Sequence, residues 1–372
     1  MNSKQINEQV IEKINILELD YDELSKILAK NQFAKFRIKQ IWNWLYIKLI
    51  QDFSEINNIN KEEKLKLDNI FYIPKVEIIK DIKSSDETRK WLISFGNNQQ
   101  IEMVFIPEEK RGTLCISSQI GCTLSCKFCH TGTQTLVRNL QTSEIINQVI
   151  VARNAINDRD KNKKIITNIV FMGMGEPFFN YDNIAKAIKV LNNQDGLDFS
   201  LRKITVSTSG LTPEIIKFST EIKANLAISL HSTNDQERSE IMAINKKYPL
   251  DSLMKACKLY NNHNKEKKIT FEYVMLKNVN DKDSNAKELI NLINKYQINV
   301  KINLIPFNSW NGCGFQCSEH SQIIKFQNIL KKSDLIATIR KTRGDNEMAA
   351  CGQLKSESQR IANRLIKEIT PN

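Results

Sequence analysis

Between Gly112 and about residue 305, strand-like and helix-like runs alternate, and this alternation limits the fold more than any other property of the 372-residue chain. The strand candidates 113–117, 165–172, 203–207, 225–230, 269–275 and 300–305 are short and rich in apolar and β-branched residues, as expected of strands covered on both faces. Helical patterns lie between them, among them 142–155, 183–191, 253–261 and 286–296. Six such units predict an α/β fold in which a parallel sheet curls into an incomplete (βα)6 barrel, with chemistry at the C-terminal ends of the strands.

The loop after the first strand carries Cys122, Cys126 and Cys129 in the run Gly121-Cys122-Thr123-Leu124-Ser125-Cys126-Lys127-Phe128-Cys129-His130. Iron-sulfur clusters are normally held by four thiolates, so a triplet with no fourth cysteine nearby implies a 4Fe-4S cluster with one iron open to a small ligand. An open coordination position marks chemistry, not structure. A zinc knuckle is the competing reading. It wants a fourth Cys or a well-spaced His, and His130 abuts Cys129 too closely to turn onto the same ion. The triplet, with an aromatic residue before its last thiol, resembles the radical S-adenosylmethionine superfamily. That resemblance implies a TIM-like radical-SAM barrel in which the open iron chelates the amino and carboxylate groups of S-adenosylmethionine. An electron from the cluster then splits that molecule into methionine and a 5'-deoxyadenosyl radical.

Other strand ends fit a ligand of that size. Gly173-Met174-Gly175-Glu176-Pro177 follows the second strand, where glycines let the backbone approach a ligand and Glu176 can accept hydrogen bonds from an ammonium group. It resembles the superfamily's motif for the methionine amino group. Ser207 with Ser209, Ser229-Leu230-His231, and Asn308 end three further strands. Each alone is an ordinary strand terminus, but together they would ring a barrel mouth where ribose and adenine need hydrogen bonds.

Ahead of the barrel, Pro74 ends a helical region running from Val10 to about Leu67, and three strand-like runs follow at 76–82, 90–95 and 100–106, with Gly96-Asn97-Asn98 as the turn between the last two. Alternation puts Glu102 on the face of Val104 and Ile106. It is either an edge residue pointing to water or a buried acid poised to take a proton. No acidic residue falls between Leu24 and Ile50, where Lys26, Lys30, Lys35, Arg37, Lys39 and Lys48 interleave with Phe33, Phe36, Trp42, Trp44 and Tyr46. Cations among aromatics suit phosphate contact and base stacking, and they equally suit an amphipathic helix with core aromatics and solvated lysines.

The net charge of +12 is uneven, with residues 1–100 carrying +1 and the remainder +11. A field of that sign favours a polyanionic partner. Eight cysteines are too few and too irregularly spaced for a disulfide scaffold. The start of the chain lacks a signal pattern, and no 18-residue apolar run occurs, so the chain is expected to be a soluble cytoplasmic protein with no membrane contact and reduced thiols.

Two more thiols carry alternative readings. Cys115 lies in the first strand, and Cys351 lies in Arg343-Gly344-Asp345-Asn346-Glu347-Met348-Ala349-Ala350-Cys351-Gly352-Gln353-Leu354. Both could be buried core thiols, or the small residues flanking Cys351 could form a slim loop that brings its thiol to the barrel mouth. These runs bring a closer resemblance. Arg111-Gly112-Thr113-Leu114-Cys115-Ile116-Ser117-Ser118-Gln119, Gly173 to Pro177, Arg340 to Cys351 and Phe36-Arg37-Ile38-Lys39-Gln40-Ile41-Trp42 together resemble the RlmN family. Its members are dual-specificity methyltransferases acting on carbon 2 of an adenine in 23S rRNA and tRNA.

Carbon 2 of adenine is electron-poor and cannot attack a sulfonium methyl. The resemblance therefore implies a relay that uses two S-adenosylmethionine molecules per turnover. Cys351 takes a methyl from the first, and a radical from the second removes a hydrogen from that methyl. The carbon radical adds to the ring, Glu102 removes the ring proton, and Cys115 attacks the sulfur of Cys351 to release the product and leave a transient disulfide. Gly175, Glu176, Ser207, Ser229, Leu230, His231 and Asn308 would hold S-adenosylmethionine. Residues 1–72 would be an N-terminal helical RNA-binding domain, 73–110 a small β extension, 111–340 the barrel and 341–372 a C-terminal segment with the catalytic loop. The expected protein is a monomer served by an external electron donor. Cys313, Cys317 and His320 form an array outside this pattern, read as a flexible surface loop with a fourth metal ligand missing. Cys257 is read as a core thiol. The rivals are a Cfr-type enzyme acting on carbon 8, a radical activase of a glycyl-radical protein, and a non-enzymatic RNA-binding protein with a structural metal.

Overall fold

A computed structural model describes residues 12–160, 163–341, 343 and 348–358. Met1 to Ile11, residues 344–347 of the Cys351 loop and the end of the C-terminal segment lie outside the described residues. One ten-stranded sheet organises the molecule. Its strands are β1 (Glu77–Lys83), β2 (Arg89–Ser94), β3 (Gln100–Glu108), β4 (Arg111–Ile116), β5 (Asn168–Phe171), β6 (Ile204–Thr208), β7 (Asn225–Ser229), β8 (Ile269–Met275), β9 (Val300–Pro306) and β10 (Ala337–Ile339). They lie side by side in chain order. From β4 to β10 every pairing is parallel, while β1, β2 and β3 join by antiparallel pairing.

The observed barrel has one strand more than expected. A seventh parallel strand, β10, follows α10 (His320–Lys331); at three residues it is too short to show a period. The β extension leads into the barrel sheet by direct pairing of β3 with β4. The helices that cover the parallel strands include α4 (Thr142–Ala155), α5 (Tyr181–Asn192), α6 (Thr212–Glu221), α7 (Asp235–Ile241), α8 (Leu250–His263) and α9 (Asp283–Tyr296). The strand expected at 165–172 starts only at Asn168, because the amides of Ile165 and Ile166 donate to the Asp158 carboxylate at 2.8 and 3.0 Å instead of to a ladder. The turn expected at Gly96-Asn97-Asn98 forms with all three residues at positive φ, which Gly and Asn tolerate best.

The N-terminal region holds α1 (Tyr21–Lys30), α2 (Lys35–Tyr46) and α3 (Lys61–Ile70). Asp20 and Glu23 form a capping box that starts α1. Upstream, Ile14–Asn15 is extended and pairs in parallel with Phe71–Tyr72, so the helical pattern read from Val10 does not hold as far as Asp20. The interleaved aromatics resolve mainly to packing: Phe33, Trp42 and Tyr46 are buried and only Phe36, at 60 %, is well exposed. Trp42 donates from Nε1 to Asn193 Oδ1 at 3.1 Å and stacks its edge against Tyr21, fixing α2 to the barrel beyond α5. The stacking surface expected there therefore shrinks to Phe36. Of the cations, Arg37 pairs with Glu63 and Lys39 with Asp195. No helix among the described residues is long and apolar enough to cross a membrane.

Candidate active site

A cavity opens at the C-terminal ends of β5 to β9, where the parallel strands stop and their loops begin. Cys122, Cys126, Cys129, Gly175, Glu176, Ser207, Ser229, His231 and Asn308 all line it. Leu230 does not: its side chain is fully buried and it works through its backbone, accepting from Arg238 Nε at 2.9 Å.

The cysteine loop leaves β4 through Gln119–Ile120, which pairs with Arg138–Asn139. Burial pushes all three thiols above their ordinary pKa, Cys122 to about 12, so they become thiolates only against a cation. No group of three or more Cys, His, Asp or Glu among the described residues is arranged to hold a single metal ion. Three thiols lining one cavity are a donor set of the kind that an iron-sulfur cluster takes. The array at Cys313, Cys317 and His320 forms no metal group either; Cys317 and His320 are exposed.

Gly175 has φ +96, and a Cβ there would sit 2.5 Å from the Cβ of Gln119, so only glycine lets this turn close on the cysteine loop. Gln119 Oε1 accepts the amide of Glu176 at 2.9 Å. The Glu176 carboxylate accepts from the amides of Ser209 at 2.7 Å and Phe178 at 3.1 Å. Burial raises its pKa and these hydrogen bonds oppose the rise, leaving a fixed acceptor for a cationic group. His231 is held at φ +58, and its Nδ1 accepts from the Val274 amide at 3.0 Å. Its pKa falls to about 3, through burial first and the Arg238 charge second, so the imidazole is neutral with its proton on Nε2.

Glu102 is buried and is not an edge residue, since its strand is paired on both sides. Its Oε1 pairs with Lys90 Nζ at 3.0 Å, and its Oε2 accepts the amide of Lys355 at 3.0 Å. The second contact ties Glu102 to the loop that carries Cys351. That loop lies across the mouth, with its carbonyls at Gly352 and Leu354 accepting from the His130 amide and the Thr131 hydroxyl at 2.6 and 2.5 Å. Asn308 Nδ2 donates to the carbonyl of Cys351 at 3.3 Å.

Cys351 lines the wall between this cavity and a smaller one that also contains Cys115, Val104 and Ile106. The reading of two separate core thiols therefore does not hold for Cys351. Cys115 is buried, its pKa raised to about 12 by desolvation first and by the charge of Cys351 second.

Three residues that the sequence reading did not single out complete the site. Arg340, half-buried after β10, lines both cavities, and the neighbouring Cys351, ahead of Glu272 and Cys115, holds its guanidinium charged. Glu272 lines the cavity from mid-β8, its pKa raised by burial against Arg340 and an Asn303 hydrogen bond at 2.8 Å. A lone acid in the apolar run Ile269–Met275 was the signal for it. Arg238 donates to the carbonyls of Leu230, Ser209 and Ser229 and to Asn245 Oδ1, all at 2.8–2.9 Å, clamping the ends of β6 and β7. Nothing in its helical context distinguished it.

Comparison with known proteins agrees with this architecture. The family model described as Radical SAM superfamily matches residues 116–304, and that described as Ribosomal RNA large subunit methyltransferase N-terminal domain matches residues 14–73. The chain is 47 % identical over 370 residues to a protein of Rhizobium meliloti (strain 1021) named Dual-specificity RNA methyltransferase RlmN, covering 94 % of this chain and 90 % of that one. A protein of the same name from Rhizorhabdus wittichii is 44 % identical over 363 residues, with 96 % and 90 % covered. A crystal structure of a radical SAM methyltransferase from Sphaerobacter thermophilus superposes with a TM-score of 0.87 at 35 % identity, covering 92 % of this chain and all of that one. With the three-thiol loop, the Gly175 turn and this similarity across nearly its whole length, the chain belongs to the RlmN family of the radical S-adenosylmethionine superfamily.

Proposed function

We propose that this chain is an RNA methyltransferase that places a methyl group on carbon 2 of an adenine in 23S rRNA and in tRNA. The observation that carries the reading is the position of Cys351, on the wall shared by the cysteine-loop cavity and the cavity of Cys115. A thiol there can meet a nucleoside-bearing cofactor on one side and a base on the other.

Cys122, Cys126 and Cys129 would hold a 4Fe-4S cluster, which when bound supplies the electron that splits S-adenosylmethionine into methionine and a 5'-deoxyadenosyl radical. Glu176 would accept the methionine ammonium. Ser207, Ser229, neutral His231, Asn308 and the Leu230 backbone would bind the ribose and adenine. The Cys351 sulfur, with Arg340 lining the same cavity, displaces a methyl from a first S-adenosylmethionine, which leaves as S-adenosylhomocysteine. The S-methyl of Cys351 then gives up a hydrogen atom to the radical from a second molecule, and its carbon bonds to the ring. Glu102 takes the ring proton once Lys355 moves off its Oε2, so opening of the Cys351 loop and release of the base are one event. Cys115 attacks the sulfur of Cys351, the S–C bond breaks with its electron pair going to carbon, and that carbon takes a proton to become the methyl group. The one electron brought in by the radical returns to the electron-transfer system that supplied it, and a disulfide replaces the link to the RNA. A reducing cytosol and an external electron donor suit that cycle, and a monomer is sufficient because every named residue lies in one chain. The N-terminal helices, with exposed Phe36 and the cations of α1 and α2, would contact the RNA.

The test is to digest RNA from cells expressing the chain and to separate 2-methyladenosine from 8-methyladenosine by mass spectrometry. The 2-isomer is expected; the 8-isomer alone would overturn the assignment of the ring position.

A further inference from the structure

The opposite end of the barrel carries a second feature. One or two cations stand at the N-terminal end of each of four successive strands: Arg202 before β6, Lys223 before β7, Lys267 and Lys268 before β8, and Lys301 at the second position of β9. With Lys265 from the loop after α8 they line an open groove across the barrel floor, in which Glu266 is the only acid. Adjacent strands are about 4.8 Å apart, so four of them spread these charges over about 14 Å.

None of these six cations forms an ion pair among the described residues. On α5 and α6 three lysines do find acids: Lys186 meets Glu23, Lys189 meets Asp20 and Asp22, and Lys217 meets Asp182. The groove also holds a charge against its own interest. Lys267 is only partly exposed, its Nζ is anchored on the carbonyls of Lys223 and Ala224, and Arg202 and Lys223 repel it. A fold that crowds six cations with a single acid, Glu266, and pairs none of them leaves most of their neutralisation to a ligand. An open row of flexible lysines is suited to a phosphodiester backbone, which presents closely spaced charges and needs no single geometry.

We infer that the barrel floor is a second RNA-binding surface, which grips the phosphate backbone of substrate RNA outside the stem that presents its adenine to the mouth. This rests on the RNA methyltransferase reading above. Strands of five to seven residues put the floor about 17–23 Å from the mouth at about 3.3 Å per residue. A short stem-loop held at the mouth therefore does not reach it, whereas a longer RNA folding around the barrel does.

The experiment compares the holoenzyme with its Lys223→Glu/Lys265→Glu/Lys268→Glu variant, and with the milder triple alanine variant in case the reversals impair folding. Binding to a short stem-loop and to a long rRNA fragment containing it is measured against salt concentration. The expected result is that the long RNA loses about 2 to 3 from the slope of log affinity against log salt, at about 0.7 to 0.9 per lost phosphate contact, while the stem-loop slope is unchanged. An equal loss for both RNAs would show that the lysines act through the general field or touch the stem itself, and would overturn the inference. Unchanged slopes for both would overturn it too, and slower reduction of the variant by an acidic electron-transfer protein would then assign the groove to that partner. The ring position is read from the product nucleoside alone, so failure of the carbon-2 assignment is distinguishable from failure here.

Discussion

At the mouth of the barrel, Arg238 is buried and fully engaged by four oxygen acceptors, and Arg340 is half-buried beside Cys351, with Glu272 and Cys115 adding to the negative field around it. At the floor, Lys223, Lys265 and Lys268 are exposed and meet no carboxylate among the described residues. A charge kept out of water needs its partner within the fold or the fold loses stability. A charge left in water costs little unpaired and remains available to something that arrives. The mouth is thus preorganised for small, fixed chemistry, and the floor is built for a mobile polyanion.

The largest effect that would break this comparison falls on the shared wall of the two cavities. Cys351→Ala is expected to abolish methylated adenosine in digested RNA while leaving RNA binding within twofold of wild type. Residual methylation would show that the wall thiol carries nothing. Cys115→Ala should still load the methyl and attack the base but fail to resolve, trapping a protein-RNA adduct visible as a denaturing-gel shift. If no adduct forms under turnover conditions, the relay is wrong.

A second test takes the partner from a buried charge. Lys90 and Glu102 are each about 8 % exposed, so Lys90→Met strands a carboxylate and should cost about 3–5 kcal/mol in urea unfolding, with most of it recovered in Lys90→Met/Glu102→Leu. At the floor, Lys223→Ala should stay within about 0.5 kcal/mol, as unpaired surface positions do. Equal losses at the two ends would erase the distinction. Smaller than the Lys90 effect is Gly175→Ala, which puts a side chain at φ +96 against Gln119. It should cost about 1–3 kcal/mol of backbone strain and weaken S-adenosylmethionine binding, measured by calorimetry.

The same contrast explains what could be read from the sequence. The six strands and the residues at their ends follow from local pattern, because apolar runs and the glycines that close turns are contiguous in the chain. The three-thiol loop is legible for the same reason. Arg238 and Arg340 were not, since their partners lie on other strands and loops and burial is a property of the assembled sheet. The basic aromatic segment misled in part: Trp42 and Tyr46 look like a stacking surface until Asn193 and Gly196, about 150 residues on, are seen to pack against Trp42. The floor cations were visible only as a net charge, because their alignment requires the register of four parallel strands.

The smallest effect is a proton. Lys267 has its pKa lowered below 10.5, by partial burial first and then by Arg202 and Lys223; Lys265, Lys268, Lys301, His263 and Glu266 also face the groove. Between that lowered value and 10.5 the unfolded chain binds more protons at this site than the folded one, so the contribution of Lys267 to stability rises with pH across the window. Lys267→Met should flatten that rise in unfolding curves collected from pH 8 to 11. RNA phosphates would favour the charged form and raise the pKa again. Binding of the long RNA should then take up protons and weaken as pH climbs through the window, an effect that calorimetry in buffers of different ionisation enthalpy resolves as the difference between wild type and Lys267→Met. Identical proton uptake by the two proteins would mean that no phosphate approaches Lys267, and the floor would lose the charge complementarity that sets it apart from the mouth.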